Sequence, residues 1–350
     1  MRKLKVAIVG CGRISVSYLS AFQKLSDRVN VVYAVDKEVD KARLFSKNFL
    51  GCKVESDMNT ILDKDIDVIH ICLPHYLHKE AAIKAMCAKK NVLVEKPVAM
   101  TLQQADEMIK VELETKVKAG VIFQTRYVKG IEIIKEMIRG GKLGKITGAK
   151  STLTWSRQAD YYAGSDWKGT WDGEGGGVLI DQAIHSIDRV RYLIGEEVLW
   201  VHGNVDNNCH HFVNVEDTAA AVIGFRGGCI YNLYATNVYK DDSPIEIELF
   251  GEKGRAKMIQ DMGYIEIDGK CTEIRNTYED VIVGPGYWGS AHDMQLQQFY
   301  DAVCNDTPVE VSLMEGRKTL ELVKGIYESS RKREKIVFPF EDRRIHFLNQ

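Results

Sequence analysis

The sequence predicts an α/β protein: an N-terminal domain with a parallel sheet covered by helices on both faces, followed by an α+β domain built on a mainly antiparallel sheet. Three observations predict it. Short apolar strand patterns alternate with helical patterns through the first third of the chain. A glycine turn follows the first of those strands. Beyond about residue 124 the pattern changes to longer strand-like stretches joined by short turns.

The elements follow in order. Lys5–Val9 is a short apolar strand, Ser15–Leu25 a helix, and Val29–Val35, apolar and β-branched, a second strand. Lys37–Asn48 is a helix with a polar face. Strands at Val68–Leu73, Asn91–Glu95 and Gly120–Gln124 alternate with helices at His78–Lys89 and Leu102–Lys118. The first domain is therefore placed at residues 1–123 and the second at 124–350. In the second, Ile131–Arg139 and Leu179–Leu193 read as helices. Its strands are Ile146–Ser156, Ala219–Arg226, Cys229–Asn237, Ile245–Gly251, Ala256–Gln260 and Tyr264–Asp268. The turns Arg226-Gly227-Gly228 and Glu252-Lys253-Gly254 suit antiparallel hairpins. Alternation in Cys229–Asn237 sets Cys229, Tyr231, Leu233 and Ala235 against Ile230 and Tyr234, which predicts burial on both faces of the sheet. Helices at Ser290–Cys304 and Leu313–Arg331 are expected to close this domain. Ile336–Gln350 is irregular and receives no assignment.

Composition narrows the class. A net charge of −2 over 350 residues gives no broad basic field of the kind nucleic acid requires. No apolar run approaches the ~18 residues of a membrane span. The opening MRKLKVAIVG is charged and then apolar, but its apolar part is short and runs straight into a glycine turn, so it is read as a strand and not as a signal peptide. Eight cysteines, none in a C-x-x-C pair and most in apolar surroundings, are expected to be buried free thiols in a reducing compartment. These points favour a cytoplasmic enzyme with no nucleic-acid or membrane partner.

The glycine turn is Gly10-Cys11-Gly12-Arg13-Ile14-Ser15, a G-x-G-x-x-small motif with Ser15 where Gly or Ala is preferred. It stands between a strand and a helix. There its glycines let the backbone approach a pyrophosphate, and the helix N-terminus offers N–H groups to that anion. Asp36 closes the second strand at the spacing of the acidic residue that takes the adenosine ribose hydroxyls and repels a 2′-phosphate. The combination reads as a Rossmann domain carrying NAD. Lys37, beside Asp36, leaves room for NADP as the weaker alternative.

Two further constellations could carry chemistry. Glu95-Lys96-Pro97 follows another strand of the same sheet, where ligands sit beyond the carboxyl ends of strands. Lys96 is there a candidate beside the cofactor's reactive end, or simply a solvated loop lysine. In Gly175-Gly176-Gly177-Val178-Leu179-Ile180-Asp181-Gln182-Ala183-Ile184-His185, the glycines permit close approach, and Asp181 and His185 share one helix face. Histidine can take a proton from an alcohol as hydride leaves, and aspartate can hold a neighbouring hydroxyl. An ordinary helical Asp–His contact is the plain alternative. A metal site would need further ligands from His75 and His78 or His210 and His211, and no metal is expected. Tyr127, Trp155, Tyr161, Tyr162, Trp167 and Trp171 could lie against sugar C–H faces or serve in ordinary packing. Lys168 and Arg126 could meet a carboxylate or phosphate, or pair with acids.

Taken as a set, these motifs resemble the Gfo/Idh/MocA oxidoreductases, the family of glucose–fructose oxidoreductase and inositol dehydrogenase. Leu73-Pro74-His75-Tyr76-Leu77-His78 is similar to the family's loop before the lysine turn, although Asn often stands where His75 does. Phe123-Gln124-Thr125-Arg126-Tyr127 resembles the first segment past its Rossmann domain. Phe299–Val303 and Tyr327–Ser330 resemble its two C-terminal helices. The resemblance implies Lys96, Asp181 and His185 as catalytic residues. It implies cofactor contacts at Gly10, Gly12, Arg13, Ile14, Asp36, Leu73, Pro74, His78, Glu95, Lys96 and Gln124. Substrate contacts are implied at Arg126, Tyr127, Trp167 and Lys168 beside the catalytic residues. The implied reaction moves a hydride between NAD(H) and a secondary alcohol or ketone of a sugar, sugar derivative or cyclitol. Asp166-Trp167-Lys168-Gly169-Thr170-Trp171 resembles members that act on sugars, nucleotide-linked sugars included. An open-faced sheet and a homodimer or homotetramer follow by the same resemblance. The rivals are an NAD-dependent glycosidase working by transient oxidation and elimination, a non-catalytic NAD-binding regulator, and a reductase of dihydrodiol or other aromatic substrates.

Overall fold

Six strands build the first sheet: β1 (Leu4–Val9), β2 (Val29–Val35), β3 (Lys53–Glu55), β4 (Val68–Ile71), β5 (Asn91–Val94) and β6 (Ala119–Val121). In the computed structural model, which describes residues 2–275 and 291–340, they are ordered β3-β2-β1-β4-β5-β6. Every pairing is parallel. The connecting helices are α1 (Ser15–Lys24), α2 (Val39–Ser46), α3 (His78–Cys87) and α4 (Leu102–Thr115). The central strands read as continuous apolar runs because helices cover both faces: Val6, Ile8, Val68, Ile69, Ile71, Val92 and Val94 are all fully buried. The unexpected strand β3 is a three-residue Lys-Val-Glu edge, too short and too charged to show a period. Strand order reverses between β1 and β4, so the crevice at their carboxyl ends is a topological switch point.

The second sheet has nine strands: β7 (Ile146–Thr154), β8 (Val198–Asp206), β9 (Thr218–Phe225), β10 (Ile230–Thr236), β11 (Glu246–Gly251), β12 (Gly254–Ile259), β13 (Met262–Ile267), β14 (Lys270–Ile274) and β15 (Ile336–Val337). Their order is β14-β13-β12-β11-β7-β10-β9-β8-β15, antiparallel except for the β7–β10 pair. Both expected hairpins form, β9 with β10 and β11 with β12. Three strands were not expected. β8 carries apolar residues, but Gly203-Asn204 interrupts them. β14 is a polar edge. β15 pairs two residues of the unassigned tail with β8, while residues 341–350 lie outside the described ones. The helices are α5 (Lys129–Arg139), the short α6 (Ala159–Tyr162) and α7 (Ile184–Ile194), with a π-helical stretch, Leu179–Ala183, leading into α7.

Two helices complete the chain, α8 (His292–Asn305) and α9 (Leu313–Lys332). The expected start of α8 at Ser290 lies outside the described residues. The chain divides into two compact units, residues 1–124 with 280–317, and residues 125–279 with 318–350. The second unit is thus not the continuous 124–350 stretch of the sequence reading. The reason lies in packing. Leu296, Phe299 and Tyr300 of α8 join the core formed by β1, β2 and α1, and the Tyr300 hydroxyl lies 2.8 Å from Nε2 of buried His70 on β4.

The nine-stranded sheet buries one face within this chain and exposes part of the other. Tyr231, Leu233 and Ala235 are buried, whereas Ile230 is exposed and Tyr234 half-buried. Val222 and Phe250 are also exposed. Ile230 and Phe250 both pair with Gly148, so they flank one glycine on adjacent strands. The burial of both faces read from the alternation is therefore met on one face only in the chain by itself. Among the described residues, no helix is long and apolar enough to cross a membrane.

Candidate active site

In the first unit the glycine turn sits where β1 ends. Gly10 has φ +97°, and a Cβ there would lie 2.4 Å from the Cys72 carbonyl oxygen at the end of β4. Glycine is therefore required by the close approach of the two switch-point strands. Around Gly12 a Cβ would meet nothing within 4 Å. Ser15, in the third small position, is buried, and its hydroxyl donates to the Gly12 carbonyl at 2.6 Å. Helix α1 begins here with no side-chain cap on its N-terminus. The Asp36 carboxylate accepts from the Cys11 amide and the Glu38 amide, each at 2.8 Å, which ties the end of β2 to the turn. A carboxylate has about four acceptor sites, so two amides leave capacity for ribose hydroxyls. Burial, with the Asp36 charge, pushes the Cys11 thiol up to about 12 and keeps it protonated. The open space at Gly12, the uncapped helix start and the placed carboxylate together fit a dinucleotide.

Lys96 follows β5 in the same sheet. It is partly accessible, while its neighbours Glu95, Pro97, Val98 and Ala99 are buried, and the Lys96–Pro97 peptide bond is cis. Two of the expected cofactor contacts, His78 and Glu95, have their side chains engaged inside the protein. His78 is fully buried, with Nδ1 2.7 Å from the Pro97 carbonyl and Nε2 2.8 Å from the Leu73 carbonyl. Burial holds its pKa below the usual histidine value, against the pull of the two carbonyls. Glu95 is buried as well. It accepts from the Tyr18 hydroxyl at 2.9 Å and from the Lys96 amide at 3.2 Å. Both residues hold the lysine turn and the Leu73–Pro74 segment in place from within the domain. Arg13 is exposed, Ile14, Leu73 and Pro74 are partly accessible, and Gln124 is buried where it opens the 3₁₀ turn Gln124–Tyr127 after β6.

In the second unit the glycine run is enclosed by protein. Gly176 has φ +149°, and a Cβ there would fall 2.0 Å from the Tyr327 hydroxyl; one on Gly177 would fall 2.0 Å from the Glu216 carbonyl oxygen. The Glu216 carboxylate accepts from the Gly177 amide (2.7 Å), the Leu179 amide (3.0 Å) and the Tyr327 hydroxyl (2.8 Å), and so caps the helix start. Burial pushes its pKa up to about 7. Next comes the π-helical turn, a feature often found at functional sites, with Asp181 inside it. One Asp181 oxygen, Oδ2, accepts from Gln182 (2.7 Å), Tyr161 (2.8 Å) and Lys168 (2.9 Å). His185 follows on α7. From Gly173 to Arg191 every residue is buried except His185, which is partly accessible.

Arg126, one of the expected substrate contacts, is paired with an acid inside the unit. Its guanidinium makes a bidentate pair with fully buried Asp188, at 2.7 and 2.6 Å, and the same carboxylate accepts from Thr319 at 2.7 Å. Charge and hydrogen bonds are thus matched deep in the unit. Tyr127 and Trp155 are buried too, whereas Tyr161, Tyr162, Trp167 and Trp171 are partly accessible. Glu174, Gln182, Glu216 and Tyr327 were not singled out from sequence. Glu174 and Gln182 stand beside the motif, but Glu216 and Tyr327 reach it only through the fold. Among the described residues, no group of three or more His, Cys, Asp or Glu side chains is placed to hold a metal.

A parallel sheet of this order with an open glycine turn at its switch point defines a dinucleotide-binding protein of the Rossmann class. Residues 4–123 match the family model described as an oxidoreductase family with an NAD-binding Rossmann fold, and residues 131–257 match that of the GFO/IDH/MocA C-terminal domain. Myo-inositol 2-dehydrogenase of Thermotoga maritima is 30% identical over 266 residues, covering 72% of this chain and 74% of that protein. 2,7-Anhydro-N-acetylneuraminate hydratase of Mediterraneibacter gnavus is 31% identical over 62% of this chain and 57% of its own length. The crystal structure of the WlbA dehydrogenase of Bordetella pertussis with NADH and UDP-GlcNAcA superposes with a TM-score of 0.84 at 25% identity, covering 97% of this chain and all of that one. The chain belongs to the Gfo/Idh/MocA family and is an NAD-binding oxidoreductase.

Proposed function

We propose that this protein reversibly oxidises a secondary alcohol of a sugar, sugar derivative or cyclitol, with Lys96, Asp181 and His185 as its catalytic residues. The observation that carries the reading is His185 itself: it is the one accessible residue between Gly173 and Arg191, four positions after a carboxylate held by three donors. His185 accepts the hydroxyl proton. Lys96, beyond the end of β5, donates a hydrogen bond that stabilises negative charge developing on the substrate. Asp181 accepts from an adjacent hydroxyl and orients the ring. Bound NAD supplies the hydride acceptor, held by the Gly10–Ser15 turn and Asp36. The similarity to an inositol dehydrogenase and to a dehydrogenase solved with a nucleotide sugar supports the substrate class.

Cyclitols, aldoses and glycosides incubated with NAD, read by NADH absorbance and by product analysis, test this directly. His185→Ala is expected to cut turnover by ~10²–10⁴ while leaving NADH affinity unchanged. An active, merely destabilised variant removes the histidine from the mechanism. A second reading draws support from the hydratase relative: oxidation that is transient and coupled to elimination. It predicts product without accumulated NADH.

The assembly we propose is a homodimer or homotetramer formed through the open sheet face around Val222, Ile230 and Phe250. Light scattering at micromolar concentration is expected to show no stable monomer. The cysteines support a reducing, cytoplasmic setting in a different way from the one first read. Only Cys11, Cys72 and Cys229 are buried; Cys87, Cys209, Cys271 and Cys304 are exposed. Exposed thiols persist unoxidised where the compartment is reducing.

A further inference from the structure

The simplest role for Lys168 is a cation waiting for a substrate carboxylate or phosphate. We propose instead that Lys168 is a positioning residue which, with Tyr161, fixes the Asp181 carboxylate in one orientation and does not bind substrate. This rests on the reading that Asp181 acts on the substrate.

An ammonium has three donors, and this one has three acceptors. Nζ lies 2.9 Å from Asp181 Oδ2, 3.0 Å from the Tyr161 hydroxyl oxygen and 3.5 Å from Glu174 Oε1. It also lies over the rings of Tyr161 and Trp167, 4.7 and 4.9 Å from their centroids. Burial alone would lower its pKa, but the facing charge of Asp181, with Tyr161 and Glu174, outweighs burial and holds Lys168 well above the usual lysine value. The cation is therefore permanent and already neutralised: two carboxylates surround one ammonium. The nearby Arg157, stacked on Tyr161, is itself paired with Asp242 at 2.9 Å.

Seen from Asp181, all three donors converge on Oδ2, and each comes from a constrained source. Tyr161 belongs to α6 and Lys168 follows it. Gln182 is the next residue, and its own oxygen accepts from buried Asn237 at 3.0 Å. A carboxylate gripped on one oxygen from three directions keeps a single rotamer. That rotamer is what an acceptor for a substrate hydroxyl needs, since misplacement of about 1 Å can cost ~10²-fold in rate. The small net negative charge of the cluster favours an uncharged polyol over a sugar acid or sugar phosphate at this position.

The test is a double-mutant cycle with Lys168→Met, Asp181→Asn and the pair, plus Lys168→Arg, assayed below their melting temperatures on the best neutral polyol from the screen and, in parallel, on sugar acids. If Lys168 acts through Asp181, K168M lowers kcat by ~10- to 100-fold with NADH affinity unchanged. K168R recovers part of that loss, and adding K168M to D181N costs nothing further. Additive losses in the double variant, or a K168M loss confined to acidic sugars, overturn the proposal and make Lys168 a substrate contact. Wild-type kcat in K168M, with D181N impaired, also overturns it. Wild-type turnover in D181N alone refutes the catalytic reading of Asp181 and takes this inference with it. Should K168M fail to fold, Tyr161→Phe removes one of the same three donors and enters the cycle in its place.

Discussion

Gly10–Ser15 and Gly175–Gly177 are both glycine turns that lead into helices, yet a methyl group added to them meets different surroundings. At Gly12 it meets nothing within 4 Å. At Gly177 it meets the Glu216 backbone at 2.0 Å, and at Gly176 the Tyr327 hydroxyl at the same distance. In the first turn Gly12 keeps space for a ligand, whereas Gly10 there, like Gly176 and Gly177 in the second, lets protein approach closely. The same signal, backbone that must be approached closely, has two physical sources, and only the surroundings tell them apart. The first turn is fitted to an anion, and the second is an anchor that fixes where Asp181 and His185 stand.

The comparison is broken most directly by adding that methyl group. Gly177→Ala forces the chain against Glu216 and is expected to cost ~3 kcal/mol or more, through overpacking at a site that cannot relax. Gly12→Ala is expected to leave thermal unfolding within about 0.5 kcal/mol of wild type and to weaken NADH binding ~10-fold or more, because the pyrophosphate must sit where the methyl would. Thermal unfolding and NADH fluorescence titration on both variants decide it. A stable Gly177→Ala together with an unfolded Gly12→Ala would reverse the assignment of the two turns.

Glu216 sharpens the contrast, because the anchor carries a buried acid. Its pKa rises from the ordinary 4.5 to about 7 on folding, chiefly through burial. Below pH 4.5 both states are protonated and the contribution to stability is complete. Between pH 4.5 and 7 the unfolded chain ionises while the folded one keeps its proton, so stability falls, and above about 7 the loss is complete. The loss is about 3 kcal/mol. Glutamine cannot ionise, so Glu216→Gln abolishes it. Urea unfolding of both proteins at pH 4.5 and 7.5 is expected to show wild type losing about 3 kcal/mol relative to the variant, other groups cancelling in the difference. Parallel pH profiles would remove the buried charge from this account.

How much of this was legible follows from the same residues. The parallel sheet was legible because Val6, Ile69 and Val92 sit in uniformly apolar strands, and the dinucleotide turn because its three signals stand close together in sequence. Edge strands were not: β3 and β14 are short and polar, and β15 depends on pairing with β8. Asp181 and His185 were found by spacing and resemblance, but the partners that hold Asp181 were not. Tyr161 and Lys168 lie 20 and 13 residues away and meet it only through the fold. Arg126 was left open between a ligand contact and a pairing with acids for the complementary reason. Its acid, Asp188, stands 62 residues on, and only the fold shows it buried against the guanidinium. Sequence shows which groups can do chemistry; burial decides which are already spent on one another.

The smallest expected effect concerns the open turn alone. Asp36 accepts from the Cys11 and Glu38 amides, so its carboxylate is fixed at the end of β2 and is only partly accessible. There it would meet the 2′-position of a bound adenosine ribose. Its negative charge is expected to disfavour a 2′-phosphate, while its remaining lone pairs accept from hydroxyls. Asp36→Ser removes the charge and keeps an acceptor. It is expected to narrow the preference for NADH over NADPH by about tenfold, near 1.4 kcal/mol, mainly by improving NADPH binding. Exposed Lys37 remains to attract the phosphate. Some loss of NADH affinity should accompany the change, because the Cys11 amide loses its carboxylate partner. Fluorescence titration of both cofactors separates the two contributions. A wild-type chain that binds NADPH more tightly than NADH would overturn this reading of Asp36, whatever the variant does.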